Sequence, residues 1–285
     1  MKNVLIYGGF NWLGYELTQY IIKYNVATNI IIVDNMKHHL TKDLIKEKFD
    51  NYAHLYNENL FLYTFDIGDT SRLTEIYQRH KIHVVINNIK YNIYDNDVDK
   101  STILDGYESI QKIHKIFGVS NYAYISRMYT HNKALLNNKC RNIVEDNLIH
   151  NEKIRKITQN EGNEIIIPDY LFGTLKDKHN NIVVKLDNIF RSGSPFNIPN
   201  ESFFCLYDED LVEHVIRVTL QRDNDAMLEE MVYGPHSYKQ LVKYMAPSYK
   251  LSSNVMMRDK DKSESEEIVT APLSEIFKDY ISSLS

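Results

Sequence analysis

Three glycines near the start of the chain have a spacing that suits phosphate binding. The apolar run from Val4 to Tyr7 leads into Gly8-Gly9-Phe10-Asn11-Trp12-Leu13-Gly14, and an amphipathic segment follows. Glycines between a strand and a helix let backbone N–H groups approach a diphosphate at the start of that helix. The residues predicted to bind a dinucleotide here are Gly8, Gly9, Asn11, Trp12, Leu13 and Gly14. The alternative is a tight connection that uses glycine only for packing.

An acidic residue follows the second apolar run at the distance such a site requires. Asp34 stands twenty residues after Gly14, where the run Ile30 to Val33 ends. A carboxylate at that position can accept hydrogen bonds from an adenosine ribose, and it disfavours a 2′-phosphate. The turn and Asp34 together therefore predict NAD rather than NADP as the cofactor.

The elements that position these residues alternate along the first part of the chain. Short apolar runs bounded by Gly, Asp, Asn or Pro are typical of buried parallel strands, and the segments between them have helical periodicity. The predicted strands are 4–7, 30–33, 60–65, 84–86, 122–125 and 165–167, and the predicted helices are 15–24, 71–78, 110–117 and 134–157. This order predicts an α/β fold with a doubly wound parallel sheet.

The pattern becomes less regular after Gly173. Helices are predicted at 211–220, 238–245 and 273–283, with a strand at 231–233, and Ser237 is predicted to cap the helix from Tyr238. We expect residues 1–173 to form the dinucleotide-binding domain. Residues 174–285 are expected to form a smaller substrate lobe over the carboxyl edge of the sheet, where ligands bind in such folds.

Composition excludes several other classes of protein. The 285 residues carry 33 Lys and Arg against 38 Asp and Glu, which gives a net charge of −5. Nucleic-acid binding needs a concentrated basic surface, so we expect none. No apolar run approaches the length of a membrane span, and we expect no membrane association. Only Cys140 and Cys205 are present, which excludes a disulfide framework and indicates a cytoplasmic protein.

Two groups of residues resemble metal sites, and we interpret both without a metal. His38 and His39 are adjacent, and adjacent residues in a turn make poor joint ligands without a third. The acids of 208–210 are predicted to begin a helix, where negative charge is favourable. His214, in that helix, is predicted to be a half-buried packing residue. A polar run at 259–267 is predicted to be an exposed loop before the last helix.

An ordered set of landmarks resembles the extended short-chain dehydrogenase/reductases, the NAD-dependent epimerase/dehydratase family that acts on nucleotide sugars. The landmarks are Gly8, Gly9 and Gly14; Asp34-Asn35; Phe65-Asp66; Gly118-Val119 before the segment 122–126; Pro168 and Gly173; and the segment 207–212. The resemblance implies a Rossmann-like fold and a nucleotide-sugar ligand such as a UDP- or dTDP-hexose. It also implies further cofactor-binding residues, namely Asn35, Asp66, Ile67, Asn88, Arg141 and Pro168, and a homodimer would be typical of it.

The catalytic positions depart from this family. Its chemistry is hydride transfer between a sugar carbon and nicotinamide, assisted by a Tyr-x-x-x-Lys pair on one helix. By resemblance, the Tyr falls on Asn137 and the Lys on Arg141, and an asparagine has no titratable proton to exchange. The family's assisting Ser or Thr falls on Ser126, or on Arg127 after a one-residue shift. The third glycine of the family's turn falls on Asn11.

A literal Tyr-x-x-x-Lys occurs upstream, at Tyr129 and Lys133. Tyr129, Lys133, Asn137 and Arg141 share one helical face at four-residue steps, so a shifted helix could present them together. One hypothesis is therefore a working NAD-dependent epimerase, dehydratase or reductase that uses Ser126, Tyr129 and Lys133. The other is a catalytically silent relative that binds a dinucleotide or nothing and serves as a regulatory or structural subunit.

Overall fold

The computed structural model describes residues 2–36, 42–89, 100–127, 163–167, 170–172, 182–192, 202–221 and 233–245, with Lys153 and Lys156. The chain divides into two compact units, which are Met1–Ile167 with Leu211–Leu228 and Pro168–Asp210 with Glu229–Ser285. The elements of the first unit are β1 (Asn3–Tyr7), α1 (Trp12–Tyr24), β2 (Asn29–Asp34), α2 (Lys42–Ala53), β3 (Leu60–Thr64), α3 (Thr70–His80), β4 (Val84–Asn87), α4 (Lys100–Phe117), β5 (Asn121–Arg127) and β6 (Asn163–Ile167).

The first unit is built on a six-stranded sheet in which every pairing is parallel. Its strand order is β3-β2-β1-β4-β5-β6, so the order reverses between β1 and β4. All six predicted strands are present, and the doubly wound parallel sheet is confirmed. In such sheets ligands bind beyond the carboxyl ends of the strands, at the point of reversal. The glycine turn after β1 and the end of β4 lie on the two sides of that point.

The central strands are apolar on both faces because helices cover both faces. Val4 to Tyr7 of β1 and Val84 to Ile86 of β4 are fully buried. On one face, Leu5, Tyr7 and the corresponding side chains of β2, β4 and β5 pack with α3 and α4. The right-handed connection rule places α1 and α2 on the other face. Burial of continuous apolar strands is the main stabilising contribution in this unit.

Side-chain caps set where three helices begin. The Asn11 side chain accepts the Gly14 N–H at 3.1 Å, so α1 begins at Trp12 rather than at the predicted Tyr15. Asp69 accepts the Arg72 N–H at 3.1 Å at the start of α3. Ser237 caps the last described helix, as predicted, because its hydroxyl accepts the Gln240 N–H at 3.1 Å. Gln240 in turn accepts the Ser237 N–H, which completes a capping box.

Helix α6 (Asp208–Ile216) crosses the boundary between the two units along the chain, and a π-helical turn at Arg217–Gln221 follows it in the first unit. The acids of 208–210 begin α6, which confirms their interpretation as a helix start. His214 is 4% exposed and thus more deeply buried than predicted. Asn121 of β5 donates to the carbonyls of Val218 and Thr219, which joins the π-helical turn to the amino end of the sheet.

The second unit contains a three-stranded sheet in the order β7-β8-β9, with β7 (Tyr170–Phe172), β8 (Ser202–Tyr207) and β9 (Tyr233–Ser237). Its helices are α5 (Ile182–Ser192) and α7 (Tyr238–Met245), and α7 has the predicted bounds. Sequence periodicity missed α5 and β8, and it placed a strand at 231–233 where the described strand starts at Tyr233. The predicted loop at 259–267 and helix at 273–283 lie outside the described residues, as do His38 and His39. Among the described helices, none has the length and apolar character needed to cross a membrane.

Candidate dinucleotide-binding site

The turn after β1 requires glycine at its first position. Gly8 has a φ of +66°, and a Cβ placed on it would lie 2.5 Å from the Asn88 carbonyl oxygen. A side chain would therefore meet a main-chain atom that cannot move without moving β4. Gly14 is equally constrained, because a Cβ there would lie 2.4 Å from the Gly9 carbonyl oxygen. The first approach holds the end of β1 against the chain after β4, and the second holds the start of α1 against the turn, as phosphate binding at a helix start requires.

Asn11 stands where the resemblance predicts a third glycine, and its amide joins the turn to the chain at the end of β4. Asn11 Oδ1 accepts from the Gly14 N–H and from Asn88 Nδ2, the latter at 2.6 Å. Asn11 Nδ2 donates to the Asn88 carbonyl at 2.9 Å. Asn88 is 4% exposed, so this reciprocal pair is largely shielded from water. The departure at Asn11 thus replaces backbone freedom with side-chain hydrogen bonds.

Asp34 lies at the carboxyl end of β2, directly beside the turn. Its Oδ2 accepts the Phe10 N–H at 3.0 Å, and its Oδ1 accepts the Met36 N–H at 2.9 Å. The residue is 9% exposed. An ionised carboxylate has about four acceptor positions, so two remain for ligand hydroxyl groups. The structure therefore places Asp34 next to the glycine turn, as the sequence predicted.

Two of the predicted cofactor-binding residues, Asn35 and Asp66, come together at the ends of β2 and β3. Asn35 Nδ2 lies 3.5 Å from Asp66 Oδ2, and Asp66 Oδ1 accepts the Gly68 N–H at 3.2 Å. Ile67 is 7% exposed because Gly106 of α4 approaches it closely. Asn35 and Asp66 are therefore neighbours although 31 positions separate them in the chain. Both follow strands that are adjacent to each other in the sheet.

An aromatic cluster formed by α1, α2 and Phe10 packs against the glycine turn. The sequence analysis did not predict this cluster because it did not predict α2. Phe10 packs against Phe49 and Tyr52 of α2 with ring centroids 5.1 and 5.0 Å away. Tyr15 of α1 meets Tyr52 edge to face at 5.5 Å. Ile45, Phe49 and Tyr52 are four and three residues apart, and this helical spacing is the signal that predicts α2.

The carboxyl end of β4 carries a buried polar network that reaches β5. Asn87 Nδ2 donates to the Tyr122 hydroxyl at 2.8 Å, and Asn87 Oδ1 accepts the Ile89 N–H. Burial, followed by the nearby Tyr124 and Tyr122, raises the pKa of Tyr107 well above its usual value. Tyr107 is thus a hydrogen-bonding core residue and a poor acid.

Of the predicted catalytic residues, the structure describes Ser126. β5 extends to Arg127, so Ser126 is still within the strand and pairs in register with Ile166 of β6. The other predicted residues of this group lie outside the described residues, namely Tyr129, Lys133, Asn137, Arg141 and Pro168. In the described ranges, no group of three or more His, Cys, Asp or Glu side chains is arranged to hold a metal ion.

The described site has the groups that a dinucleotide needs. The backbone N–H groups of Trp12 and Leu13 lie in the first turn of α1, where a helix supplies no internal acceptor. Their side chains are 7% and 2% exposed. Trp12 is the first residue of α1 rather than part of a loop, and it is packed away from solvent. A diphosphate at these N–H groups would have Asp34 at one side and Asn88 at the other.

Solved structures share this fold over nearly the whole chain. The Bordetella bronchiseptica enzyme WbmG, in complex with NAD, is 13% identical with a TM-score of 0.69, over 97% of this chain and 87% of that one. UDP-glucose 4-epimerase from Thermotoga maritima, with UDP-glucose, is 14% identical with a TM-score of 0.63, over 92% and 87%. DesIV, a dTDP-glucose 4,6-dehydratase from Streptomyces venezuelae with NAD and TYD bound, is 11% identical with a TM-score of 0.64, over 88% and 82%.

These comparisons show the class of fold to which the chain belongs. At such low identity a structural likeness shows a shared fold, and here it is the Rossmann-like fold of NAD-dependent epimerase and dehydratase structures. No protein-family model matches the sequence, and no curated protein sequence matches it. The fold implied by the resemblance is therefore confirmed by structure, without support from sequence similarity.

Proposed function

We propose that this protein binds NAD and acts on a nucleotide-linked sugar. The observation that carries the proposal is the pairing of the glycine turn with Asp34, whose carboxylate receives the Phe10 N–H from the middle of that turn. A turn needing glycine only for packing would not require a buried acid at its side. The NAD complex of WbmG, which has the same fold, supports this choice of cofactor.

Different described residues would contact different parts of the cofactor. Trp12 and Leu13 would donate their N–H groups to the diphosphate, and Asp34 would accept from the adenosine ribose. Asn35, Asp66 and Ile67 would form the adenine side of the site. NAD, when bound, supplies the hydride acceptor for oxidation of a sugar carbon. Because a second negative charge beside Asp34 is unfavourable, we expect NADP to bind more weakly than NAD.

The substrate class is supported by what the structural neighbours bind. The WbmG structure with NAD and UDP, the epimerase with UDP-glucose and the dehydratase with TYD all hold nucleotide ligands. We propose a UDP- or dTDP-hexose as the ligand of this chain. We assign its recognition to the residues after Gly173.

The proposed acid–base pair is Tyr129 with Lys133, assisted by Ser126. Asn137 cannot move a proton, so a tyrosine hydroxyl upstream would exchange the proton of the sugar hydroxyl. The second candidate is a silent relative that binds the dinucleotide without turnover. The observation that favours it is the replacement of both family catalytic residues, by Asn137 and Arg141.

The cofactor proposal is tested by titrating NAD and NADP into wild-type protein and Asp34→Ala by calorimetry. The wild type should bind NAD more tightly, and the variant should lose about tenfold in NAD affinity with little loss for NADP. An unchanged preference between the two cofactors would show that Asp34 does not contact the ribose.

The two functional candidates are separated by turnover. Wild-type protein and Tyr129→Phe are incubated with NAD and UDP- or dTDP-hexoses, and products are identified by mass spectrometry. The enzyme candidate predicts product from the wild type and at least about a hundredfold less from the variant, with unchanged NAD affinity. Equal turnover by both proteins would exclude Tyr129, and NAD binding without any product would favour the silent relative.

A further inference from the structure

The hydroxyl of Tyr52, in α2, forms a buried hydrogen bond with the main chain of the glycine turn. It donates to the Gly9 carbonyl oxygen at 2.6 Å, and Tyr52 is 1% exposed. Gly9 is the second residue of the glycine turn, so this bond joins α2 to the main chain that would approach the diphosphate. The acceptor is a backbone atom, and the donor comes from a helix 43 positions away.

A second hydroxyl extends this contact to the other end of the turn. Thr18 Oγ1 donates to the Gly14 carbonyl at 2.7 Å and lies 3.4 Å from the Tyr52 hydroxyl. Thr18 is fully buried. The two hydroxyls therefore contact the carbonyls of Gly9 and Gly14, which are the two glycines whose backbones touch each other.

Aromatic packing holds Tyr52 in place for this bond. Its ring lies 5.0 Å from Phe10 and 5.5 Å from Tyr15, one residue in the turn and one in α1. Phe10 is fully buried, and its N–H is the group that donates to Asp34. Movement of the Tyr52 ring would therefore also affect the backbone that supports Asp34.

The Tyr52 hydroxyl remains a donor at every pH at which the protein would be used. Burial raises its pKa far above that of a free tyrosine, and the nearby Asp34 charge raises the pKa further. The hydrogen-bond contact with Thr18 lowers the pKa; this effect is smaller than that of burial and larger than that of Asp34. The contact with Gly9 is thus a neutral hydrogen bond that ionisation does not break.

We propose that Tyr52 is a positioning residue for the diphosphate: its hydroxyl sets the conformation of Gly9 and so the direction of the turn's N–H groups. This inference rests on the proposed dinucleotide function. Loss of the hydroxyl leaves a buried carbonyl without its partner, and the turn is expected to shift to recover one. The effect should fall on ligands that carry a diphosphate and should spare a ligand that only fills the adenosine part of the site.

The test compares Tyr52→Phe with Tyr77→Phe. Both variants keep an aromatic ring and remove one buried hydroxyl, but Tyr77 contacts the Tyr7 hydroxyl at 3.1 Å on the α3 and α4 face. The dissociation constants of ADP-ribose and adenosine are measured for each protein by calorimetric competition. The readout is their ratio, because a general loss of stability weakens both ligands and leaves the ratio unchanged.

We expect Tyr52→Phe to lose about tenfold in ADP-ribose affinity, with adenosine affinity changed less than about twofold. Tyr77→Phe should keep the wild-type ratio. Thr18→Val, which removes the second hydroxyl, should change the ratio in the same direction by a smaller factor, and it provides the test if Tyr52→Phe does not fold. A wild-type ratio in Tyr52→Phe would overturn the role of Tyr52 while leaving NAD binding intact. If Tyr52→Phe does not fold, a wild-type ratio in Thr18→Val would have the same meaning. Failure of the wild type to bind either ligand would overturn the proposed function itself.

Discussion

The two faces of the six-stranded sheet both bury polar side chains, but these have different partners. On the α3 and α4 face, side chains bond to side chains: Tyr7 to Tyr77, Asn87 to Tyr122, and Tyr63 to His80. At the glycine turn, side chains bond mainly to the backbone. Tyr52 contacts the Gly9 carbonyl, Thr18 the Gly14 carbonyl, and Asp34 the Phe10 N–H.

This difference predicts which substitutions change only stability and which also change ligand affinity. A side-chain pair inside a core satisfies its own polar atoms, so its removal costs stability without reshaping a surface. A side chain bonded to a turn's backbone determines where the remaining N–H groups point. We therefore expect substitutions in these side-chain pairs on the α3 and α4 face to change the free energy of unfolding alone. Equivalent substitutions at the turn should change ligand affinity as well.

The largest expected contrast is between two glycines with positive φ. Gly8→Ala combines a φ of +66° with a Cβ 2.5 Å from the Asn88 carbonyl, so we expect it to lose about 3 kcal/mol or more of unfolding free energy. Gly118→Ala, at the end of α4, has a φ of +64° and no atom within 4 Å of the added Cβ. Its cost should be about 1 kcal/mol, from backbone strain alone.

Urea unfolding of both variants measures this contrast, with NAD affinity measured alongside. Gly118→Ala should bind NAD like the wild type. Equal destabilisation by the two substitutions would mean that the end of β4 does not approach Gly8 as closely as described.

Two helix caps provide a second, smaller contrast. Asn11 and Asp69 each accept one backbone N–H at 3.1 Å, at the starts of α1 and α3. Asn11 also exchanges hydrogen bonds with Asn88, whereas Asp69 has a solvent-exposed ion pair with Arg72. Exposed ion pairs contribute little, so Asp69→Ala should cost about 1 kcal/mol and Asn11→Ala about 2 kcal/mol.

Chemical unfolding of the two alanine variants gives the stability difference, and calorimetry gives their NAD affinities. Only Asn11→Ala should bind NAD more weakly. If Asp69→Ala proved the more destabilising of the two, the Asn11–Asn88 pair would not join the turn to β4.

The smallest effect concerns the side-chain pair of Tyr63 and His80, 2.7 Å apart. Burial, followed by the charge of Arg79, lowers the pKa of His80 in the folded protein. The unfolded chain therefore takes up a proton near pH ~6.5 that the folded protein does not, and stability falls as the pH decreases through that range. In His80→Gln this contribution is absent, so its unfolding midpoint should fall less between about pH 7.5 and about pH 5.5. A decrease as steep as that of the wild type would contradict this explanation.

Sequence reasoning predicted the sheet well because its signal is local. Continuous apolar runs bounded by turn residues identify buried parallel strands, and all six were found in this way. It also placed Gly8, Gly14 and Asp34 together, since each follows a strand in a known order. The contacts of Asn11 with Asn88, and of Tyr52 with Gly9, were not predictable. They join residues 77 and 43 positions apart, and only the folded chain brings them together.

Helix α2 shows why part of the site was missed. Ile45, Phe49 and Tyr52 have the spacing of one helix face, but the segment was not predicted as a helix. Phe49 and Tyr52 are nevertheless the residues that pack on Phe10. The proposed acid–base pair depends on Tyr129 and Lys133, which lie outside the described residues, and only turnover measurements can test it.

The most direct test of the central claim is the identity of the small molecules released when the purified protein is denatured. Mass spectrometry of the released fraction, with calorimetric titration of NAD into the emptied protein, measures cofactor binding without assuming a reaction. NAD in that fraction, or saturable binding of added NAD that Asp34→Ala weakens, is the predicted result. An empty protein that also fails to bind added NAD would contradict the assignment of the glycine turn and Asp34 as a dinucleotide site.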